Sequence, residues 1–224
     1  MQLKSVKAVI FDFNGTLFWD NAENEEAWSQ TAKHFRGFGL TKEEFHLNNG
    51  KSDREACLFI LGKEAKEEAL LQCEVYKEEY YKKLCLERKL TLAKGAYEYF
   101  NKLLDCNLKL AIASSAPKIN MDWYIPHFHL FDYFKSENII AGRTDIKGKP
   151  EPDIFLLTAK TLGVDIENCI IFEDSVAGLK AARSSGCAKV IAINSTGADV
   201  KNTSLLADFS ISDFTDSKLK EYFL

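Results

Sequence analysis

The sequence predicts an α/β fold: a central parallel sheet flanked by helices, with an α-helical cap inserted after the first strand. Three observations predict it. Apolar runs of strand length alternate with helical stretches, the pattern of β-α-β units. Three of those runs end abruptly on polar residues, at Asp12, at Ser114 and at the pair Glu173–Asp174. Residues 20 to 90 carry helical periodicity and no strand pattern. The expected division is a core formed by 1–19 and 91–224 and a cap formed by 20–90.

The first strand, Ala8 to Phe11, is short, apolar and β-branched at Val9 and Ile10, as suits burial on both faces. Asp12 then has two readings. It caps a helix, or it serves a site, because α/β sheets bind ligands at the carboxyl edge and an unpaired buried carboxylate is costly. Gly15 permits a tight turn. In the cap, Trp28, Ala32 and Phe35 fall at helical spacing. Ala65, Ala69, Cys73, Tyr76, Tyr80 and Leu84 form one apolar stripe, with Glu64, Lys77, Glu78 and Lys82 among the charges assigned to the solvated face.

Gly95 leads into a helix with Ala96, Phe100, Leu103 and Leu104 on one face, and Leu108 to Ala113 is the next strand. Ser114-Ser115-Ala116-Pro117 is a cap-and-start signal whose hydroxyls and free N–H groups also suit phosphate. Asn120 to His129 has no assignable pattern, and Glu137 to Gly142 accommodates a short strand. Pro152 starts a helix that Gly163 closes. Cys169 to Phe172 is a buried strand, and Ser175 to Ser185 is a helix stopped by Gly186. Lys189 to Ile193 and Phe209 to Ile211 are strands, and Asp216 to Phe223 is a terminal helix.

A composition of 46% hydrophobic and 28% charged residues belongs to a globular chain. The formal net charge of -4 argues against a general nucleic-acid binder, and no window has the apolar length of a membrane span. The first residues run straight into a strand, so no signal peptide is expected. Six cysteines form no C-x-x-C pair and no metal spacing with the four histidines. They read as mostly buried thiols in a reducing compartment, which makes the cytoplasm the expected location. Oligomeric state leaves no mark on the sequence.

Right-handed β-α-β crossovers bring strand ends to one sheet edge. Asp12, Ser114, Glu173 and Asp174 then share that edge, and Lys149 precedes a helix on the same side. Carboxylates so close repel each other unless a cation lies between them, and oxygen ligands with retained water suit Mg2+. The lysine, the serine and such a metal together would cradle a phosphoryl group.

In these features the chain resembles the haloacid dehalogenase superfamily. The resemblance is to the branch with a helical cap after the first motif, which includes β-phosphoglucomutases and small sugar-phosphate phosphatases. The first motif is Asp12-Phe13-Asn14-Gly15-Thr16-Leu17 and the second is Ser114 after an apolar strand. The third is Lys149 in Lys-Pro-Glu-Pro-Asp, and the fourth is Phe172-Glu173-Asp174-Ser175 followed by Ala177-Gly178. The resemblance implies a Rossmann-like core and Mg2+-dependent hydrolysis of a small phosphorylated metabolite. It makes Asp12 the nucleophile. It gives the metal to Asp12, the backbone carbonyl of Asn14 and Asp174, with Glu173 acting through water. It gives the phosphate to Ser114, with Ser115 beside it, and to Lys149. Asn49 to Asp53 corresponds to a substrate-specificity loop, so Lys51 or Arg54 would meet an anionic substrate; ordinary surface charge is the alternative for both.

The chain departs from the family at Asn14. Most phosphatases of this family have Asp there, which protonates the leaving group and then activates water. An amide hydrogen-bonds but does not exchange a proton near neutral pH. General acid–base catalysis contributes ~10²–10⁴-fold, so weakened turnover is expected. Two alternatives stay open: a phospho-ligand-binding protein on an enzyme scaffold, and a carbon-centred hydrolase of the dehalogenase kind. The intact Glu173–Asp174 pair weighs against the second. Mutase activity is not expected, because Asn24 and Glu25 stand where mutases carry a cap histidine.

Overall fold

The computed structural model describes residues 6–48, 52–195 and 200–219. In chain order its elements begin with β1 (Ala8–Phe11), α1 (Asn21–Arg36), α2 (Lys42–Asn48), α3 (Asp53–Leu61), α4 (Glu67–Glu87), α5 (Ala96–Asp105) and β2 (Lys109–Ala113). They continue with α6 (Lys118–His127), β3 (Ile139–Ile140), α7 (Asp153–Leu162), β4 (Cys169–Glu173), α8 (Val176–Ser185), β5 (Lys189–Ile193), α9 (Val200–Leu206) and β6 (Phe209–Ile211). The chain divides into two compact units, Met1–Trp19 with Thr91–Leu224, and Asp20–Leu90.

The first unit is an α/β layer structure. Its sheet runs β3-β2-β1-β4-β5-β6, and every neighbouring pair is parallel. All four β1 residues are buried, as its continuous apolar run requires. Side chains alternate between faces. Ala8 and Ile10 join a mostly aliphatic layer with Ala111, Ile154, Ile171, Leu179 and Val190. Phe11 joins an aromatic cluster, stacked on Phe172 at 5.1 Å and edge-on to Phe100 at 5.4 Å. The winding direction reverses between β1 and β4, and open α/β sheets bind ligands in the crevice at such a point.

Helix α6 occupies the segment for which the sequence carries no assignable pattern. Its buried residues are Asn120, Met121, Trp123 and Tyr124, a mixed polar and aromatic set with Pro126 inside the helix, so no apolar stripe marks it. In α5, Tyr99 rather than Leu104 is buried with Ala96, Phe100 and Leu103. The helix expected over 216–223 falls largely outside the described residues.

The second unit holds α1 to α4 around Trp28, Ala32, Ala56, Cys57, Ile60, Leu70 and Cys73. Helix α3 starts on a capping box between Ser52 and Glu55. The solvated face expected for α4 is wrong at two residues: Lys77 and Glu78 are 4% and 5% exposed. They are tolerated because they pair with each other at 2.7 Å, with Asp53 3.8 Å from Lys77. The ammonium also lies over the rings of Trp28 and Tyr81, at 5.0 and 5.2 Å.

Burial pushes the Glu78 carboxyl up to about 7, with the Lys77 charge opposing and the Asp53 charge adding. The folded chain therefore binds more protons here than the unfolded chain, whose glutamates titrate near 4.5. This group's contribution to stability is then lost as pH rises from the unfolded to the folded value. The Tm of the wild type relative to Glu78→Gln is accordingly expected to fall between about pH 5 and about pH 8, as thermal melts across that range would register.

Candidate active site

The site is built where β1 and β4 end. Residues Phe11 and Phe172 are register partners, and the Asp12 N–H donates to the Phe172 carbonyl at 3.0 Å. This places Asp12 beside Glu173. On the other flank Ile112 of β2 pairs with Phe11, and the Ser114 N–H donates to the Ile140 carbonyl at 2.9 Å. The sequence-predicted edge is therefore formed by Asp12, Ser114, Glu173 and Asp174.

Lys149 links the two central acids. Its Nζ donates to Asp12 Oδ1 at 2.6 Å and to Glu173 Oε1 at 2.5 Å. All three side chains are at most 8% exposed. The second Glu173 oxygen accepts from the Asp174 N–H, the Ser175 N–H and the Ser175 hydroxyl, at 2.8, 2.9 and 3.0 Å. Ser175 also caps α8 by accepting from the Gly178 N–H. Asp174 Oδ1 accepts from the buried Thr16 hydroxyl at 3.2 Å.

Two glycines let these groups approach. A Cβ on Gly15, whose φ is 79°, would overlap the Asp174 carboxylate, and one on Gly178 would overlap the Glu173 carboxylate. Gly15 thus serves a close approach as well as the turn in which the Leu17 and Phe18 N–H groups both reach the Phe13 carbonyl.

One oxygen each from Asp12, Glu173 and Asp174 lie within 4.8 Å of one another. Three carboxylates face one ammonium, so charge is unbalanced in a buried place. Burial, with the Glu173 charge adding and the Lys149 charge opposing, raises Asp12 to about 7. Burial and the Glu173 and Asp12 charges hold Asp174 well above the usual carboxylate range. Burial opposes the Lys149 ammonium, but Asp12 and Glu173 outweigh it and keep its pKa above the ordinary value. An all-oxygen cluster with surplus negative charge fits a hard divalent cation.

The remaining expected residues stand apart or differ. Ser114 is 2% exposed and its hydroxyl accepts from the Ala116 N–H at 3.1 Å, while Ser115 is exposed. Asn14 is half-buried, and its side-chain nitrogen donates to the Tyr124 hydroxyl at 2.9 Å. Arg54 is ion-paired with Glu67 inside the helical unit. Lys51 lies outside the described residues. Sequence reasoning gave no site role to Thr16, which lies within the first motif, nor to Tyr124, which lies in the segment without a pattern.

A parallel sheet that presents a lysine-bridged carboxylate cluster at its reversal point places that cluster where open α/β sheets bind their ligands. The family comparison is specific: the model of the haloacid dehalogenase-like hydrolases matches residues 6–186, and the chain belongs to that family. It is similar to β-phosphoglucomutase of Bacillus subtilis, 32% identical over 198 residues that cover 81% of this chain and 80% of that protein. It is similar also to hexitol phosphatase A of Escherichia coli, 28% identical over 198 residues, covering 84% and 83%. Among solved structures, a haloacid dehalogenase hydrolase of family IA, variant 3, from Entamoeba histolytica matches with a TM-score of 0.88 at 34% identity, covering 97% of this chain and 98% of that one. Among the described residues no helix is long and apolar enough to cross a membrane.

Replacing Lys149 by Met keeps the volume and removes the cation that Asp12 and Glu173 share. Breaking a buried ion pair costs about 3–5 kcal/mol. Lys149→Met is expected to lose stability on that scale in urea unfolding without added metal.

Proposed function

We propose that the protein hydrolyses a small phosphate monoester, of the sugar-phosphate class, through a phosphorylated Asp12. The observation that carries this reading is the Lys149 ammonium held between Asp12 Oδ1 and Glu173 Oε1 at the sheet's reversal point, with Asp174 alongside. The sugar-phosphate class is supported by relatives named β-phosphoglucomutase and hexitol phosphatase.

Asp12 attacks phosphorus in line, the phosphorus–ester oxygen bond breaks, and the electron pair leaves on the alkoxide. Lys149 orients the attacking carboxylate and faces the charge of the transferring group. Ser114, placed by β2, donates its hydroxyl to a non-bridging phosphate oxygen, and the exposed Ser115 stands next to it. Mg2+ would be held by Asp12, the Asn14 carbonyl oxygen and Asp174, with Glu173 acting through water, and would neutralise both the surplus carboxylate charge and the phosphoryl oxygens. Asn14 has no proton to give to the departing oxygen, which takes one from solvent. Substrates whose leaving oxygen is already a weak base are then favoured.

The Asp20–Leu90 unit serves as the substrate-selecting cap in this reading. Lys51 or Arg54 would be its anion contact, Arg54 by exchanging its partner Glu67. The six thiols, with Cys57, Cys73, Cys85 and Cys169 buried, suit a reducing compartment such as the cytoplasm.

Phosphate release from a panel of sugar phosphates and an aryl phosphate tests the reading. The parent with Mg2+ is expected to release phosphate. Asp12→Ala is expected to lose about 10³-fold or more of that rate, and chelation with EDTA to abolish it until Mg2+ is restored. Asn14→Asp is expected to raise kcat/KM on alkyl phosphates by about 10²-fold and that on the aryl phosphate far less. A parent that releases no phosphate while still taking up Mg2+ would favour the phospho-ligand-binding alternative.

A further inference from the structure

The Asn14 carboxamide is held by a partner that the sequence reading did not anticipate. Its nitrogen donates to the Tyr124 hydroxyl at 2.9 Å. Tyr124 is fully buried, and its position is set by rings on the same stretch of backbone that carries Asp12 and Asn14. Its ring lies 4.8 Å from that of Phe13, which stands between those two residues, and 5.5 Å from that of Phe18. Trp123 packs against it at 4.5 Å. Helix α6, which delivers Tyr124, begins four residues after Ser114, so one loop–helix unit carries both the expected phosphate-binding serine and the tyrosine. A hydroxyl so constrained fixes the amide plane. With nitrogen turned to Tyr124, the Asn14 oxygen is turned away from it, because the two ends of a carboxamide diverge.

We propose that Tyr124 is a positioning residue for Asn14, and that the pair orients the water that hydrolyses the phosphorylated Asp12. The proposal rests on the phosphatase reading above. An amide oxygen accepts a hydrogen bond from water without removing its proton, and the step balances without a base. The water oxygen bonds to phosphorus, the Asp12 oxygen–phosphorus bond breaks, and its electron pair returns to the carboxylate. Both water protons leave on the released dihydrogen phosphate. Orientation alone is then what Asn14 supplies, and a hydrogen bond that fixes its rotation has a direct effect on rate.

The division between the two chemical steps makes this testable. With an aryl phosphate the first step is fast, so kcat reports hydrolysis of the phosphoenzyme and kcat/KM reports its formation. Tyr124→Phe keeps the ring and removes the hydroxyl. We expect kcat on p-nitrophenyl phosphate to fall about tenfold, KM to fall in parallel, and kcat/KM to stay within about twofold of the parent. The fraction of protein carrying acid-quenched 32P from a labelled aryl phosphate should rise. In an Asn14→Ala background the same change should have no further effect. A loss of kcat/KM equal to the loss of kcat would reveal a distorted site and overturn the proposal. So would unchanged kcat, or additive losses in the double variant. Should the parent itself release no phosphate and take up no label, the phosphatase reading fails first, and the proposal with it.

Discussion

Burying more carboxylate than cation is the constraint on which the rest of the α/β unit depends. Asp12 and Glu173 share the single Lys149 ammonium, and Asp174 accepts only a threonine hydroxyl among the bonds just described. Such an arrangement is unfavourable in isolation, because desolvated charge must be compensated. The structure compensates it from every side. The backbone N–H groups of Asp174 and Ser175, just before α8, converge on Glu173, the Ser175 hydroxyl joins them, and two glycines remove the atoms that would push the acids apart. What stays unbalanced is the part left to a ligand. Stability is given up at a place where, in the function proposed above, an incoming cation and an incoming phosphoryl group would restore it.

Much of this was legible in the sequence, for a physical reason. Strands buried on both faces are continuous apolar runs, and an acid interrupting one is visible without any structure. Asp12, Ser114 and Glu173 therefore announced the edge of the sheet, and parallel topology did the rest. Lys149 was legible from its place before a proline-started helix. Other features depend on contacts between distant residues and left no local signal. Tyr124 sits in a helix whose buried side is aromatic and amide rather than aliphatic, so no stripe marks it. Lys77 and Glu78 look like surface charges in any helical wheel, and only the neighbouring Asp53, Trp28 and Tyr81 make their burial tolerable. Gly178 reads as one more small residue in α8 until the Glu173 carboxylate is seen against it.

Asn14 shows how little a side chain must change to alter the division of labour in a site. A carboxyl and a carboxamide have the same shape, so the turn from Phe13 to Phe18 and the carbonyl at position 14 are untouched by the difference. What changes is the direction of hydrogen bonding. The amide carries a donor and sends it to a phenol that could equally have donated to a carboxylate. The tyrosine accommodates either residue, and the surrounding rings hold it in place for both. Chemistry at this position can therefore vary while packing stays constant, as expected where function is set by a few groups on a shared scaffold.

The sheet's central strand is also the first to leave the ribosome. Lys149 is 137 residues from Asp12, and Asp174 is 158 residues from Thr16. A growing chain thus exposes β1 as an edge on which β2 docks first, and its other side stays open until β4 has been made. The whole of Asp20–Leu90 is synthesised in that interval, with local helix contacts that form early. The acid that leads the site is therefore made before its partners and is at first chemically alone. Lys149 follows 137 residues later, and Glu173 and Asp174 later still, so until then the nascent protein carries the pieces of its chemistry without being able to perform it.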